Sequence, residues 1–347
     1  MESIFSAQQK LFPEMEGLLL QRYRMLEMIE LEQPVGRRTL TGLSEWKERD
    51  VRRETEILRD QRLIRMEAGG MVVTDGGVDV LRELKSFVHE LAGMAEKEAA
   101  VREALGIARV IVVPHDSDEQ VAAKAQIGRE AAEVLEALFQ TYRTVAVTGG
   151  STIAAIGTEL TTAKLQPTIR FLAARGGLGG EAGHQANMIA SAFADKVGGT
   201  VKTLYVPDQL SPGAFETLMN EPMIKDMITL YDEAEVVVHG IGNAFDLAKR
   251  RNATEEELET LKQGGAVSEA FGYYFDRGGE VVYRLRTAGI QLRQVNNAAV
   301  LLAVAGGSSK AEAIVSYFKN APKQTILVTD EGAADSIIAL TKTEEEL

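Results

Sequence analysis

Seven short apolar segments follow one another between residue 108 and the end of the chain, and amphipathic segments separate most of them. The apolar segments are residues 110–113, 144–147, 169–174, 201–206, 235–240, 300–305 and 325–329. Continuous runs of valine, isoleucine and leucine indicate strands that are buried on both faces, as in a parallel sheet covered by helices. The sequence therefore predicts a doubly wound, mostly parallel α/β domain over residues 106–347. Ligands of such domains bind at the carboxyl ends of the strands.

The second of these segments runs directly into Thr148-Gly149-Gly150-Ser151-Thr152, and a helix is predicted to begin there. Glycines let the backbone turn and approach a ligand closely, and the first turn of a helix favours a phosphate. An ordinary strand–helix turn with a serine N-cap is the alternative. Glycine-rich loops recur at residues 174–180, 240–244 and 306–310. The four loops are predicted to meet in one crevice.

Cations accompany these loops. Two loops contain one each, Arg175 and Lys310, and Arg250 and Arg251 lie about ten residues after the start of the third loop. The P-loop pattern is absent, and residues 177–182 match a dinucleotide fingerprint without the acidic residue that would bind a ribose. The crevice is therefore predicted to bind a small phosphorylated molecule rather than a nucleotide.

The composition excludes several classes of site. The chain has no cysteine, which excludes disulfides, thiolate metal sites and thiol nucleophiles. Its four histidines lack metal-ligand spacing, so we expect no metal and no cofactor; they are His89, His115, His184 and His239. No segment approaches the ~18 apolar residues of a membrane span, and the N-terminus lacks the features of a signal peptide. We expect a cytoplasmic protein with no membrane partner.

The N-terminal part contains a local basic patch. Residues 37–65 carry nine Lys and Arg against six Asp and Glu, a charge of +3, whereas the remainder carries −16. The net charge of −13 argues against unspecific nucleic-acid binding. A basic patch on an acidic protein indicates a directed contact with a polyanion.

The order of elements around this patch is typical of a winged helix-turn-helix. Helices are predicted over residues 16–32, 37–43 and 47–61, followed by two short strands around Gly69-Gly70. In this motif the second helix of the pair enters the major groove and the hairpin touches the DNA backbone. The motif is predicted over residues 1–80; a solvated basic helix in an accessory domain is the alternative. The expected DNA contacts are Arg37, Arg38, Lys47, Arg49, Arg52 and Arg53.

A further helix is predicted to start at Thr74-Asp75-Gly76-Gly77. Its apolar residues recur at the 3, 4, 3 spacing of a coiled-coil seam, namely Leu81, Leu84, Val88 and Leu91. We predict that residues 81–105 form a linking and dimerisation helix of a homodimer or homotetramer. Packing of this stripe within its own domain is the alternative.

Together these segments resemble the SorC family of bacterial sugar-responsive transcription regulators. The resemblance covers essentially the whole chain, and the residues that carry it are Arg49-Asp50-Val51-Arg52-Arg53-Glu54 with Leu58, Leu63-Ile64, Thr148-Gly149-Gly150-Ser151-Thr152 and the Arg175 loop. It implies a winged helix-turn-helix joined to a sugar-phosphate domain related to sugar-phosphate isomerases and deaminases. It also implies a repressor of a glycolytic operon whose effector is fructose 1,6-bisphosphate.

The resemblance implies a set of effector-binding positions, which are Gly149, Gly150, Ser151, Thr152, Arg175, Gln185, Arg250, Arg251, Glu269 and Lys310. The first loop, Arg175 and Lys310 also follow from the residues themselves. The chain departs from the usual pattern at Glu45 and Lys47, where a glycine and a Ser or Thr cap are more common.

We therefore expect an effector-gated repressor without catalytic residues, in which the ligand shifts the population away from operator binding. Two enzymatic alternatives stay open. A sugar-phosphate isomerase or deaminase would use Asp208, Asp330 or Glu331 as a general base, with His239 as the nearest histidine. A nicotinamide-dependent enzyme would use residues 177–182. Turnover of a sugar phosphate or a bound cofactor would distinguish these alternatives.

Overall fold

The computed structural model describes residues 11–12, 14–44, 46–161, 168–177, 182–207 and 210–345. The chain divides into two compact units, one of residues 1–96 and 120–122 and the other of residues 97–119 and 123–347. The division falls within a helix of the expected linking segment.

The N-terminal unit has the order of elements of a winged helix-turn-helix, as predicted. Its elements are α1 (Glu14–Glu32), α2 (Arg37–Leu43), α3 (Glu48–Asp60), β1 (Ile64–Glu67), β2 (Gly70–Val73) and α4 (Asp75–Leu91). The strands β1 and β2 form an antiparallel hairpin in which Ile64 pairs with Val73. A core with buried side chains from α1, α2 and α3 holds the three helices together, and it includes Leu26, Leu40, Val51 and Leu58.

The helix α3 is amphipathic in the predicted sense. Val51 and Leu58 are buried, whereas Arg49, Arg52 and Arg53 are exposed. The helix begins after Lys47, which as N-cap residue makes no side-chain hydrogen bond to the backbone. Acidic residues in the first turn, where negative charge is favoured, support this start.

The expectation of one linking helix over residues 81–105 is wrong. The helix α4 ends at Leu91, and a second helix, α5 (Met94–Leu105), follows. The break is at Gly93, which adopts a left-handed φ of +71° that glycine tolerates at helix ends.

Three residues of the predicted seam, Leu81, Leu84 and Val88, pack against the core of the N-terminal unit. They therefore stabilise this unit itself, which is the alternative stated above. The dimer contact stays a prediction, and these three side chains do not support it.

The described residues of the second unit form helices and two sheets, and they confirm the α/β prediction. Its strands are β3 (Arg109–Val113), β4 (Thr144–Val147), β5 (Arg170–Ala173), β6 (Thr200–Lys202), β7 (Val236–His239), β8 (Gly242–Asn243), β9 (Ser268–Ala270), β10 (Tyr273–Phe275), β11 (Val281–Arg284), β12 (Val300–Val304) and β13 (Thr325–Asp330). Its α-helices after α5 are α6 (Val121–Leu138), α7 (Ser151–Glu159), α8 (Ala186–Val197), α9 (Pro212–Leu218), α10 (Pro222–Asp232), α11 (Ala244–Arg250), α12 (Glu255–Gln263), α13 (Leu292–Asn297), α14 (Ala311–Asn320) and α15 (Glu331–Glu345).

The seven predicted strands form one parallel sheet in the order β3-β13-β12-β7-β4-β5-β6. The chain progresses from β4 to β6 on one side and from β7 to β13 on the other, so the direction reverses between the neighbours β4 and β7. Ligands of open α/β sheets bind at such a switch point, outside the carboxyl ends of the strands. Loop 148–152 and loop 240–244 follow these two strands, which places them at this point.

The second sheet was not predicted from the sequence. The strands β8 to β11 are antiparallel, in the order β11-β10-β9-β8, and each contains two to four residues. This sheet follows β7 in the chain and supplies Glu269 on β9.

Candidate functional site

Loop 148–152 is built for close backbone contact. Gly150 is the N-cap residue of α7 and has a φ of +124°, where other residues are strained. A Cβ on Gly149 would lie 2.7 Å from the carbonyl oxygen of His184, which also accepts the N–H of Gly150 over 2.9 Å. Within the described residues, no acceptor takes the N–H groups of Ser151 and Thr152. Two donors at the positive end of α7 are thus available to an anion.

Lys124 on α6 adds a cation to this loop, and the sequence analysis missed it. Its Nζ donates to Oγ of Ser151 over 2.6 Å. One turn further along both helices, a Cβ on Gly128 would lie 2.8 Å from the carbonyl oxygen of Ala155. This close contact fixes Lys124 relative to α7. A cation beside a helix N-terminus opposes the helix dipole, so this position is favourable when an anion lies between them.

Arg175, Glu269 and Arg251 form a buried ionic cluster. Oε1 of Glu269 lies 3.2 Å from Nη1 of Arg175 and 3.8 Å from Nη1 of Arg251, and the three side chains are at most 8% exposed. The same oxygen accepts the N–H of Gly272. The guanidinium of Arg251 also lies over the ring of Tyr274, 5.0 Å from its centroid. Two guanidinium groups and one carboxylate thus lie together in a desolvated place, where charge-assisted hydrogen bonds are strong.

The loop after β12 is occupied by carboxylates of the protein. Asp330 accepts the N–H of Gly307 over 2.7 Å, and Asp116 accepts that of Ser308 over 3.2 Å. Asp118 accepts the N–H of Ser309 over 2.9 Å. These three backbone N–H groups of the glycine-rich loop are therefore bound to carboxylates of the protein. The group of this loop that we consider for an effector is the ammonium group of Lys310.

Lys310 lies among these acids. Its Nζ donates to the carbonyl oxygen of Gly306 over 2.8 Å. Burial lowers the pKa of Lys310, and the positive charge of Arg250 acts in the same direction, whereas Asp118 and Asp330 oppose this shift. The charge of Arg250 thus acts on Lys310.

The two neighbouring arginines interact with different groups. Arg251 lies on the carboxylate oxygen of Glu269 that also binds Arg175, whereas the charge of Arg250 lowers the pKa of Lys310. Gln185 is the N-cap residue of α8 and directly follows His184, whose carbonyl oxygen holds Gly150. The structure therefore places Gln185 beside the first loop.

The acids of the enzymatic alternative have structural partners. Asp330 is fully buried and accepts the N–H groups of Ser117, Gly307 and Ala333 over 2.7–2.9 Å. Glu331 forms an ion pair with Lys97 at 2.8 Å. Asp208 and residues 178–181 of the fingerprint lie outside the described residues.

His239 is also placed away from solvent. It is fully buried at the end of β7, and burial lowers its pKa to about 4. Its ring lies against Phe271 and Tyr317, with centroids 4.6 and 5.3 Å away. The imidazole is therefore neutral at physiological pH and packs in the core.

The predicted DNA contacts all lie on α2, on α3 or at its N-cap. Arg38, Lys47, Arg49, Arg52 and Arg53 are exposed, and Arg37 is half-buried. Five of the six cations are therefore accessible to a polyanion, as a DNA interface requires.

The part of the chain that the structure describes holds neither a candidate metal cluster nor a candidate membrane span. There, no group of three or more His, Asp or Glu could hold a metal ion. None of the helices described is both long enough and apolar enough to span a membrane.

Comparison with known proteins identifies relatives over nearly the whole chain. The family model described as "Putative sugar-binding domain" matches residues 89–339, and the model of the CggR N-terminal DNA binding domain matches residues 18–88. The central glycolytic genes regulator of Priestia megaterium is 42% identical over 97% of this chain and 99% of its own length. The corresponding regulator of Bacillus subtilis is 39% identical, with the same coverage. The crystal structure of a SorC family transcriptional regulator from Enterococcus faecalis is 40% identical with a TM-score of 0.64, and it covers 70% of this chain and 99% of that chain.

Proposed function

We propose a function for this chain from its family: it belongs to the SorC family of transcription regulators and, within it, to the central glycolytic genes regulators. The proposed function is repression of a glycolytic operon, with operator binding modulated by fructose 1,6-bisphosphate. The observation that carries the effector assignment is the presence of two separate anion-binding arrangements in the α/β unit. One is loop 149–152 with Lys124, and the other is the buried cluster of Arg175, Glu269 and Arg251, which contains two guanidinium groups.

A bisphosphate explains why two arrangements are needed. Each phosphate carries its own charge and requires its own donors. We assign one phosphate to the N–H and hydroxyl groups of loop 149–152, with Lys310 as a further point charge. The other we assign to Arg175 and Arg251, whose planar guanidinium groups match phosphate geometry. We assign the sugar hydroxyls to Gln185 and Glu269, and Arg250 to the same phosphate as Lys310.

The proposed mechanism is a linkage between effector and DNA. A homodimer or homotetramer in the cytoplasm sets the separation of two recognition helices on the operator. An effector that prefers a different arrangement shifts the population away from DNA binding by its differential affinity. Isothermal titration of fructose 1,6-bisphosphate against fructose 6-phosphate tests the effector: the monophosphate is expected to bind at least tenfold more weakly, since each charge-assisted hydrogen bond contributes ~1.5–3 kcal/mol.

The structural roles of Asp330, Glu331 and His239 favour a regulator over an isomerase or deaminase. Each of the two acids is held by backbone donors or an ion pair, and the histidine is enclosed by aromatic rings. A turnover assay with sugar phosphates is expected to show no product. Appearance of an isomerised or deaminated sugar would reverse this conclusion.

Lys124→Met is expected to weaken effector binding at least tenfold, because the ammonium group beside Ser151 would no longer bind the phosphate. Because the variant also loses the hydrogen bond to Ser151, the unfolding temperature of the ligand-free protein is measured beside the affinity. Calorimetric titration and thermal unfolding give the two quantities. Lys262→Met, at the exposed end of α12, is the matched control. A destabilised variant with unchanged affinity would show that Lys124 has only a structural role.

Arg52→Ala is expected to weaken operator binding at least tenfold and to leave effector binding unchanged. Arg52 is 70% exposed on α3 and pairs with Glu56 over 3.2 Å. A bidentate arginine contact to a guanine contributes ~1–3 kcal/mol of discrimination. Fluorescence anisotropy at one fixed salt concentration measures the change. Arg82→Ala, an exposed arginine on α4 that pairs with Asp79, is the control. Equal operator affinity of the Arg52 variant would remove this residue from the interface.

A further inference from the structure

The six cations of the predicted DNA surface fall into two groups. Arg37, Arg52 and Arg53 are tethered by side chains of α3. Their partners are Thr55, Glu56 and Glu54, respectively. Arg38, Lys47 and Arg49 have no side-chain hydrogen bond or ion pair with any residue that the structure describes. The two groups therefore differ in how firmly their positive charges are held.

Glu54 makes the firmest of these tethers. It lies on the recognition helix but is fully buried. Its carboxylate accepts from Nε of Arg22 on α1 over 2.7 Å and from Nε of Arg53 over 2.8 Å. Burial alone would raise the pKa of Glu54, but the hydrogen bonds from the two arginines outweigh it and the pKa is lowered. Glu54 is therefore ionised at neutral pH.

The contact fixes how Arg53 can meet DNA. Its Nε and Nη2 both lie 2.8 Å from Oε1 of Glu54, so this edge of the guanidinium is engaged. The side chain is nonetheless 57% exposed, which leaves its outer end accessible. A guanidinium held in this way loses little conformational entropy when it binds, and its planar geometry selects the partner. The untethered cations keep their rotational freedom, which suits contacts with phosphates, and phosphates carry no sequence information.

We propose that Glu54 is a positioning residue for sequence-specific DNA recognition, which orients Arg53 toward one base pair, whereas Arg38, Lys47 and Arg49 provide sequence-independent phosphate binding. This inference rests on the operator binding proposed above. It assigns discrimination and overall affinity to different side chains of one surface.

Arg22 offers a matched control, because it shares the carboxylate of Glu54 but lies on α1. If Glu54 only joins α1 to α3, Glu54→Gln and Arg22→Met will both reduce stability and neither will change sequence preference. If Glu54 positions Arg53, only Glu54→Gln will change sequence preference. Sequence preference is thus the quantity that separates the two roles.

The test uses the full chain and a duplex that the wild-type protein selects from a randomised DNA pool. Affinities for this duplex and for a scrambled duplex of the same composition are measured by fluorescence anisotropy over a range of salt concentrations. Glu54→Gln is expected to lower the ratio of the two affinities at least tenfold, with an unchanged salt dependence. Arg22→Met is expected to keep the ratio. Arg49→Gln is expected to weaken both complexes equally and to reduce the salt slope by about one.

Arg53→Lys covers the case in which Glu54→Gln fails to fold, because it changes only an exposed side chain and keeps the charge. It is expected to lower the ratio at least tenfold as well, since an ammonium group lacks the planar fork. An unchanged ratio in either folded variant overturns the role of Glu54. Equal affinity of the wild-type protein for the selected and the scrambled duplex would contradict the proposed operator recognition, and with it the role of Glu54.

Discussion

Arg175→Ala is expected to weaken the binding of fructose 1,6-bisphosphate by at least tenfold and to lessen its preference over the monophosphate. Arg175 is buried and lies 3.2 Å from Glu269, with Arg251 on the same carboxylate oxygen. The substitution removes a planar guanidinium group that we assign to one phosphate. One lost charge-assisted hydrogen bond costs ~1.5–3 kcal/mol, and ~1.4 kcal/mol is a factor of ten in affinity.

Isothermal titration calorimetry checks this result directly. Arg170→Ala is the matched control, since Arg170 begins the strand that precedes Arg175 and makes an exposed ion pair with Glu233 at 3.1 Å. Its loss is expected to leave effector affinity unchanged, because exposed ion pairs contribute only ~0–1 kcal/mol to stability. A folded Arg175→Ala protein that binds the bisphosphate as tightly as the wild type would exclude this cluster from the effector site.

Asp330→Ala is expected to destabilise the α/β unit by about 3–5 kcal/mol. The carboxylate is fully buried and is the acceptor for three backbone N–H groups, those of Ser117, Gly307 and Ala333. Each buried donor left without an acceptor costs ~1–3 kcal/mol. For a domain of this size, ~2–4 °C is lost per kcal/mol, so the unfolding temperature is expected to fall by roughly 10 °C.

Differential scanning calorimetry measures this change. Asp335→Ala removes an acid whose carboxylate is half-exposed and which pairs with Lys97, and it is expected to shift the transition by much less. If Asp330→Ala unfolds at the wild-type temperature, the carboxylate does not anchor the loop as described. A catalytic role for Asp330 would then regain support.

The parallel sheet could be predicted from the sequence because its strands are buried on both faces. Such strands read as continuous apolar runs, and all seven of them were located. The strand β6 ends at Lys202, earlier than residue 206, because the apolar residues that follow it continue as irregular chain. The basic helix was also predictable, since its apolar and cationic faces alternate with helical period.

The antiparallel sheet could not be predicted, because strands of two to four residues are too short to show a period. The apolar spacing of Leu81, Leu84, Val88 and Leu91 predicted one apolar face of a helix, but it could not predict which part of the protein packs against that face. Lys124 stands alone in an alanine-rich stretch, and its position beside Ser151 depends on the packing of two helices. Tertiary contacts of this kind leave no motif in the sequence.

The glycine-rich loop after β12 shows a further limit of sequence patterns. Its glycines and serines match an anion-binding loop, and the structure does bind anions there. These anions are the carboxylates of Asp116, Asp118 and Asp330. A loop pattern in the sequence identifies backbone N–H donors. It does not show which acceptors bind them, because the three carboxylates come from distant parts of the chain.

The central claim is that one chain couples a sugar bisphosphate to operator DNA. Titration of fructose 1,6-bisphosphate into the complex of the full chain with its selected duplex, followed by fluorescence anisotropy, tests this coupling directly. We predict that the bisphosphate lowers operator affinity, that fructose 6-phosphate requires at least tenfold higher concentrations, and that Arg175→Ala abolishes the response while its DNA affinity is retained. Operator affinity that stays constant at saturating bisphosphate would contradict the account.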